Sequence, residues 1–208
     1  MIEKVRIGII ILAAGSSSRM GQPKQLLPYK GRSLLHHTLE IAIASGDQPI
    51  VVVLGANSQQ IQSEIDSFPV YPVYNSDWKI GMGASIQTGI KTILKIEHTL
   101  SAVIILLCDQ PLISVELIHQ IIAAFNQFKQ FPQKRIVACQ YGETLGVPAL
   151  FDRKLFPELI RLSGNKGAKK VIQTHIDRVT TVPFPLGLMD IDTPQDYQHL
   201  LELEENQE

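Results

Sequence analysis

The chain has 208 residues with 19 basic and 20 acidic side chains, so its formal net charge is −1. Hydrophobic residues make up 45% of the chain and charged residues 19%, which excludes a disordered chain and predicts one continuous domain over residues 1–208. The near-neutral charge argues against nucleic acid or an anionic membrane as a partner, and no apolar run reaches the ~20 residues of a membrane span. Any charged ligand must therefore be met by a local cluster of side chains.

The two cysteines, Cys108 and Cys139, are too few for a disulfide framework and lack the spacing of a zinc site. A reducing, cytoplasmic compartment is therefore the expected location. The opening segment MIEKVRIGIIILAAGSSS resembles a secretory signal, but its apolar run Val5–Leu12 also matches a fully buried strand. The polar stretch that follows makes chemical sense as a loop, which favours the strand.

Apolar, β-branched runs alternate with helical patterns, which is typical of an α/β domain with a mainly parallel sheet. Six strands are predicted, at Val5–Leu12, Pro49–Leu54, Tyr71–Tyr74, Ala102–Leu107, Arg135–Cys139 and Val179–Val182. Seven helices are predicted, at Leu34–Ser45, Ser58–Ser67, Gly83–Ile96, Val115–Phe128, Arg153–Leu162, Gly167–Thr174 and Pro194–Glu204. Near-continuous apolar character in the first, second and fourth strands predicts helices on both faces of the sheet.

Three helices carry readable start signals, because Ser33, Ser114 and Thr193 are residue types that cap helix N-termini. Pro194 follows Thr193 at the first helical position, and Asp196 lies in the first turn, where a carboxylate favours the positive helix end. The acidic segment at 202–208 is expected to be a frayed tail.

The segment after the first predicted strand, LAAGSSSRMGQPK at residues 12–24, is rich in small residues and contains two cations. Ligands of open α/β sheets bind beyond the carboxyl ends of the strands, and small residues there let the backbone direct N–H groups at an anion. Arg19 can hold a phosphate with two hydrogen bonds, while Lys24 adds a mobile charge. The pattern predicts a phosphate cradle, with an ordinary loop and two solvated cations as the alternative.

This loop matches neither of the common glycine-rich fingerprints. Gly15 and Gly21 do not supply the Walker pattern, and the Gly-x-Gly-x-x-Gly pattern of dinucleotide-binding enzymes is absent. The first absence disfavours a standard P-loop protein, and the second disfavours a nicotinamide enzyme.

A second candidate site follows the fourth predicted strand, where six apolar residues run into Asp109. A carboxylate at that edge is well placed to hold Mg²⁺, which favours one or two protein carboxylates together with phosphate oxygens. Asp190 and Asp192 are two residues apart, so an extended chain would point both to one side. Either could complete the metal site. A turn-forming role for Asp109 before a proline is the alternative.

Other segments carry weaker signals. Residues 75–85, which contain Trp78, Gly83 and Ser85, are broken by glycines and open a helix, so they could wrap a base or ribose. Gly142 to Pro148 is a further glycine-containing piece. Cys108 has no readable base beside it, which favours a buried hydrophobic role over a nucleophilic one. The six histidines form no metal-ligand spacing.

Taken together, these motifs resemble the molybdenum cofactor cytidylyltransferase branch of the MobA-like nucleotidyltransferase superfamily. The stretch at residues 12–24 resembles the superfamily signature, and four further motifs narrow it to the branch. They are DQP at 109–111, GMGAS at 81–85, GVPALF at 146–151 and DIDTP at 190–194. Cys108, Val147 and Asn165 depart from residues common in the branch, and these departures leave the acceptor open.

The resemblance implies a single Rossmann-like α/β/α domain with a mixed, mostly parallel sheet and Mg²⁺-dependent transfer from a nucleoside triphosphate. It implies that the backbone near Leu12, Ala13, Ala14 and Gly15 meets the nucleotide. Arg19 and Lys24 would meet the triphosphate, and Gly83 and Ser85 the nucleotide. Asp109 would bind the metal, with Asp192 as the second ligand and Asp190 as its competitor. The Ala13-Ala14 pair resembles the cytidylyl branch.

The expected reaction is therefore transfer of CMP from CTP to the terminal phosphate of a molybdopterin-type acceptor. Arg19, Lys24 and Asp109 are the predicted catalytic residues. A brief contact with a receiving molybdoenzyme is plausible because the product is unstable. The alternatives are a guanylyl branch member that uses GTP, an enzyme for sugar or alcohol phosphates, a non-catalytic cofactor carrier, and a reductase on the same scaffold.

Overall fold

In a computed structural model, which describes residues 5–205, strands and helices alternate along the chain. The strands are β1 (Ile7–Ala13), β2 (Pro28–Tyr29), β3 (Arg32–Ser33), β4 (Ile50–Leu54), β5 (Tyr71–Tyr74), β6 (Ala102–Leu107), β7 (Ile136–Tyr141), β8 (Thr144–Asp152) and β9 (Val179–Pro183). The α-helices are α1 (Leu34–Ala44), α2 (Ser58–Ile65), α3 (Met82–Ile96), α4 (Val115–Asn126), α5 (Phe156–Leu159), α6 (Ala168–Thr174) and α7 (Pro194–Glu205).

Seven of the strands form one sheet in the order β5-β4-β1-β6-β8-β7-β9, and β2 pairs with β3 in a small hairpin. Within the seven-stranded sheet of the described residues, β8 alone runs antiparallel to its neighbours, β6 and β7. Apolar side chains fill a layer on each face of this sheet, where the helices pack. The predicted α/β class with a mostly parallel mixed sheet is confirmed.

The run predicted as the first strand lies in the middle of the sheet. Every residue of β1 is buried, and β1 pairs in parallel with β4 on one side and with β6 on the other. Leu12 lies opposite Leu107 in the register, so β1 and β6 end at the same edge of the sheet. The loops that follow these two strands are therefore neighbours, and they build the site described below.

The strand β8 has no counterpart among the sequence predictions. Gly146 and Pro148 are residues that interrupt strands, and no strand was predicted over this segment. The register explains how the sheet tolerates them. Ala138 pairs with Ala149 and Cys139 pairs with Gly146, so Val147 and Pro148 form an irregularity that β7 does not match residue by residue. A bulge removes the ladder position that a proline could not fill.

The helix starts predicted at Ser33 and Ser114 are confirmed by side-chain hydrogen bonds. Ser33 Oγ accepts from the N–H of His36, and Ser114 Oγ accepts from the N–H of Leu117. The predicted helix over Arg153–Leu162 is wrong in length. A 3-10 turn occupies Arg153–Leu155 and only Phe156–Leu159 is α-helical.

A third apolar cluster fastens the loop after β1 to the segment that precedes α7. It consists of Met20, Leu27, Tyr29, Leu34, Ile191 and Leu200, all buried. Residues 202–205 form the last turn of α7, while 206–208, the rest of the expected tail, lie outside the described residues. None of the helices within residues 5–205 is long and apolar enough to cross a bilayer.

Candidate active site

Three segments meet beyond the carboxyl ends of β1 and β6. They are the loop after β1, the Asp109 turn after β6, and the segment that leads into α7. A backbone hydrogen bond of 2.9 Å from Ile191 N to Asp109 O joins the last two. Asp196 Oδ2 accepts from the N–H groups of Asp192 and Thr193, and Thr193 Oγ1 accepts from Asp196 N. This reciprocal cap of α7 fixes the backbone that carries Asp192.

Lys24 lies between two carboxylates at the centre of this region. Its Nζ is 2.5 Å from Asp109 Oδ2 and 2.8 Å from Asp192 Oδ1. Arg19 contacts the other oxygen of Asp192 at 2.8 Å from the solvent side. Two cations and two carboxylates thus form one connected network at the predicted phosphate position.

The charges in this network stabilise one another against the cost of burial. Burial alone would lower the pKa of Lys24, but the charge and hydrogen bond of Asp109, together with Asp192, raise it above its ordinary value. Burial likewise opposes ionisation of Asp192, yet Lys24 and Arg19 lower its pKa. Lys24 is therefore a fixed positive charge at neutral pH.

Asp190 is a third carboxylate at the same edge. Burial and the charge of Asp109 raise its pKa to about 6, while a hydrogen bond from Gln110 opposes the rise. Gln110 itself is only 1% exposed, and its Oε1 has no partner among the described residues. Asp190 thus has less compensation from cations than Asp192, although both lie beside Asp109.

The donor set fits a divalent cation with incomplete protein ligation. Asp109 Oδ1 is buried and accepts no hydrogen bond from any described residue, which is costly for a polar oxygen unless a ligand takes that position. Within residues 5–205, no group of three or more His, Cys, Asp or Glu side chains is arranged as a metal site. Mg²⁺ uses one or two carboxylates and takes its remaining ligands from phosphate and water, so Asp109 with one further carboxylate is a suitable set.

A cavity of about 550 Å³ lies over this network. Its lining includes the charged side chains of this network, together with residues at the start of α3 that form one wall. The lining residues that the sequence analysis had named are Leu12, Ala14, Gly15, Arg19, Lys24, Trp78, Ser85, Cys108, Asp109, Asn165, Asp190 and Asp192.

The α3 wall of the cavity is rigidly built. Asn75 and Ser85 are both buried and joined by a 3.0 Å hydrogen bond from Asn75 Nδ2 to Ser85 Oγ. Gly81, with φ 127°, has a backbone conformation that L side chains rarely adopt, and a Cβ there would lie 2.5 Å from Gly164 O. Only glycine therefore permits this approach of the wall to the loop at Gly164.

A family model supplies the assignment of the fold. The model described as the MobA-like NTP transferase domain matches residues 9–179, which include β1 and its loop, β6 and Asp109.

The chain belongs to the MobA-like NTP transferase family.

The chain is thus an enzyme of the nucleotidyltransferase class. Several relatives match nearly all of its length. Nicotine blue oxidoreductase of Paenarthrobacter nicotinovorans is 30% identical over 204 residues, 92% of this chain and 95% of the relative. Purine catabolism protein PucB of Bacillus subtilis (strain 168) is 29% identical over 201 residues, 90% of this chain and 92% of the relative.

A solved relative is similar in fold over the same range. Rv0371c of Mycobacterium tuberculosis H37Rv superposes with a TM-score of 0.78 at 30% identity, covering 96% of this chain and 99% of that one. The same protein was also solved in complex with manganese, and that structure superposes with a TM-score of 0.75 at 28% identity over 95% and 99% of the two chains. Bound manganese is a property of that relative.

Within this MobA-like domain, two residues predicted for nucleotide binding do not line the cavity. Ala13 is buried in the core and absent from the cavity lining. Gly83 is buried beneath the α3 wall, where its N–H donates to Gly164 O and a Cβ would lie 2.9 Å from Ser163 N. Gly83 therefore permits close packing of two segments and does not line the cavity.

Cys108 lies at the floor of the MobA-like cavity as a thiol. It is 2% exposed, and burial next to Asp109 raises its pKa to about 12. The thiolate, which is the nucleophilic form, is therefore absent at neutral pH. This agrees with the predicted hydrophobic role.

Gln25 is the residue at this site that the sequence analysis overlooked. It is 1% exposed, lines the cavity, and hydrogen-bonds to the loop after β1. Its position directly after Lys24 was the available signal, but its partners are 8 to 12 residues away along the chain.

Proposed function

We propose that this enzyme transfers CMP from CTP to the terminal phosphate of a molybdopterin-type acceptor, with Mg²⁺ as cofactor. The observation that carries the proposal is the convergence of Lys24, Asp109 and Asp192 beside a small-residue loop at the end of β1. Membership of the MobA-like family supports nucleotidyl transfer. The motifs shared with the cytidylyl branch, including Ala13-Ala14, support CTP as the donor and molybdopterin as the acceptor.

The proposed transfer is an in-line displacement. An oxygen of the acceptor phosphate forms a bond to the α-phosphorus of CTP, and the bond from that phosphorus to the bridging oxygen breaks. The electron pair of that bond leaves with pyrophosphate. Because the acceptor supplies the nucleophile, the chain needs no activated side chain. Its contribution is positioning and charge neutralisation.

Each charged residue then has a distinct task. Lys24, fixed by Asp109 and Asp192, presents a positive charge toward the β- and γ-phosphates and stabilises the departing pyrophosphate. Arg19, with 69% of its side chain exposed, can exchange Asp192 for a phosphate without breaking a buried contact. Asp109 and Asp192 would hold Mg²⁺, with Asp190 as the competitor of Asp192; when bound, the ion neutralises negative charge on the phosphate oxygens.

The name of one relative favours a second candidate. Nicotine blue oxidoreductase matches this chain over 92% of its length, so a nicotinamide dinucleotide, whose pyrophosphate could occupy the same cradle, is the rival ligand. The loop after β1 lacks the Gly-x-Gly-x-x-Gly fingerprint, which weighs against it. The remaining candidates are an enzyme that uses GTP as donor, one that uses a sugar or alcohol phosphate as acceptor, and a non-catalytic cofactor carrier.

The proposed setting is a reducing cytoplasm, which the two buried free thiols Cys108 and Cys139 support. We also propose a transient contact with a molybdoenzyme that receives the product, because an unstable cofactor is best transferred directly. No role for nucleic acid or membrane is proposed.

Product analysis tests the reaction. The purified enzyme is incubated with molybdopterin, Mg²⁺ and each of CTP, GTP, ATP and UTP, and pyrophosphate release is measured. The proposal expects rapid release with CTP and formation of the cytosine dinucleotide. Release with GTP alone would assign the guanylyl branch. No release with any triphosphate, but oxidation of NADH or NADPH by a dye substrate, would favour the reductase.

A further inference from the structure

The amide of Gln25 is buried within the loop that follows β1. Its Nε2 donates to Ala13 O and to Gly15 O, both at 3.0 Å. Its Oε1 accepts from Ser17 Oγ at 3.3 Å. Two carbonyl acceptors and one hydroxyl donor fix the orientation of the amide, with both of its N–H donors and one lone pair of Oε1 in use.

A third carbonyl of the same loop is held in a similar way. Ala14 O accepts from the N–H of Ala56 at 3.1 Å, on the side of β4. Three consecutive carbonyl oxygens, those of residues 13 to 15, are therefore bound by donors that belong to the protein interior. In a planar trans peptide the N–H points opposite to the C=O. The N–H groups of Ala14 and Ser16 are consequently directed away from the Gln25 amide, and that of Gly15 away from Ala56. All three residues line the cavity.

The same network reaches Lys24. Ser17 Oγ accepts a 3.0 Å hydrogen bond from Lys24 N and donates to Gln25. The backbone φ of Ser17 is 54°, which is uncommon for a residue with a side chain. The strained backbone of Ser17 thus brings its hydroxyl to both residues. Gln25 and Ser17 connect the backbone donors of the loop to the position of the Lys24 cation.

We infer that Gln25 is a positioning residue, an internal amide clamp that turns the N–H groups of Ala14 and Ser16 toward the bound phosphates and holds them in register with Lys24. The inference deepens the proposed function and rests on it for the identity of the ligand. The role of Gln25 does not depend on which base the nucleotide carries, because the N–H groups that it orients would bind the phosphate chain.

The test compares Gln25→Met with Thr38→Val and the wild-type enzyme. Gln25→Met keeps the length and apolar stem of the side chain but removes both donors and the acceptor. Thr38→Val is the matched control, because Thr38 is fully buried in α1 and its Oγ1 donates to Leu34 O, outside the cavity. The dissociation constants of CTP and of inorganic pyrophosphate are measured by calorimetry with Mg²⁺, well below the melting temperatures recorded for each variant.

The clamp predicts that Gln25→Met weakens both ligands by about tenfold or more and by similar factors, because two loop carbonyls lose their donors and the loop rearranges. Thr38→Val should alter the melting temperature without altering either constant. Equal binding by Gln25→Met and the wild-type enzyme would overturn the clamp while leaving the proposed function intact. If the wild-type enzyme binds neither ligand, both the proposed function and the clamp are wrong.

A milder variant covers the case in which Gln25→Met does not fold. Ser17→Ala changes a half-buried residue and removes the hydroxyl that joins Gln25 to Lys24 N. We expect it to weaken pyrophosphate binding about threefold or more, because it removes two neutral hydrogen bonds, the one to Gln25 and the one from Lys24 N. Unchanged pyrophosphate binding in Ser17→Ala would contradict the inference that Ser17 connects Gln25 to Lys24.

Discussion

Lys24 Nζ lies 2.5 Å from Asp109 Oδ2, although the two residues come from different loops 85 positions apart. The ion pair joins the loop after β1 to the turn after β6, and both side chains are largely shielded, with 13% and 17% exposed. Asp109 Oδ2 is thereby occupied while its Oδ1 faces no donor in the described part of the chain. A single carboxylate can thus hold a protein cation on one oxygen and leave the other for a ligand cation.

Neutralising Asp109 should abolish most of the activity. Asp109→Asn keeps the volume of the side chain but removes its charge, so Lys24 loses its closest partner and the cation site loses its central ligand. We expect turnover to fall by about two to three orders of magnitude. Steady-state pyrophosphate release measures the effect. Asp66→Asn, an exposed change at the end of α2, is the control, and near-wild-type activity in Asp109→Asn would refute the assignment.

Removing the charge of Lys24 should affect both stability and rate. Lys24→Met leaves Asp109 and Asp192 without their shared cation, which we expect to cost roughly 1–3 kcal/mol of unfolding free energy. The rate should fall by an amount equivalent to ~3–4 kcal/mol of transition-state stabilisation. Because Asp109 and Asp192 then lack their shared protein cation, Mg²⁺ should raise the melting temperature of Lys24→Met more than that of the wild-type enzyme. The exposed Lys91→Ala serves for comparison; an equal Mg²⁺ shift in Lys24→Met and wild type would count against a shared site.

The two aspartates before α7 can be separated by their metal dependence. Asp192 contacts Lys24 and Arg19, whereas Asp190 forms no ion pair with a described residue. If Asp192 is the second ligand, Asp192→Asn should increase the Mg²⁺ concentration needed for half-maximal activity by about tenfold, the scale of losing one ligating carboxylate. Asp190→Asn should change it little. The reverse order would assign the site to Asp190.

His37 should make the fold sensitive to mild acid. Its ring nitrogen is 3.0 Å from Pro111 O, in the segment that carries Asp109. Burial, with the nearby charges of Lys30 and Arg32, lowers the pKa of His37 below its ordinary value of 6.5. The unfolded chain therefore binds a proton more readily as pH falls through 6.5, and stability is lost in that direction.

Denaturant unfolding at pH 7.5 and pH 5.5 measures this loss. We expect the wild-type enzyme to lose more unfolding free energy over this interval than His37→Gln, which retains a donor for Pro111 O but does not titrate. All other titrating groups are common to both proteins. Parallel pH profiles for the two proteins would rule out His37 as the source.

The sheet and most of its helices could be predicted because their signals are local. Uninterrupted β-branched runs identified β1, β4 and β6, and cap residues such as Ser33 and Ser114 located helix starts. β8 was missed because the local preferences of Gly146 and Pro148 oppose a strand, while pairing with β6 and β7 overrides them. Tertiary pairing of this kind leaves no trace in a short window of sequence.

In the candidate site, too, some features could be predicted from local sequence and others depend on tertiary contacts. Arg19, Lys24, Asp109 and Asp192 were named from residue type and from their place after strands, and they do meet in one cavity. The sequence could not show that Lys24 is shared between two carboxylates, since that requires a distance. Gln25 was overlooked because glutamine is usually exposed, and its burial depends on contacts with Ala13 and Gly15.

Nucleotide-dependent stabilisation of the purified enzyme is the most direct test of the central claim that the cavity binds a nucleoside triphosphate through these charges. Thermal melts are recorded with CTP, GTP, ATP, UTP and NADPH, each with and without Mg²⁺. Selective binding to the folded state raises stability by RT ln(1 + [L]/Kd), so the preferred ligand gives the largest shift. We expect the largest shift with CTP, increased by Mg²⁺ and abolished in Asp109→Asn. A shift with NADPH alone, or with no nucleotide, would contradict the account.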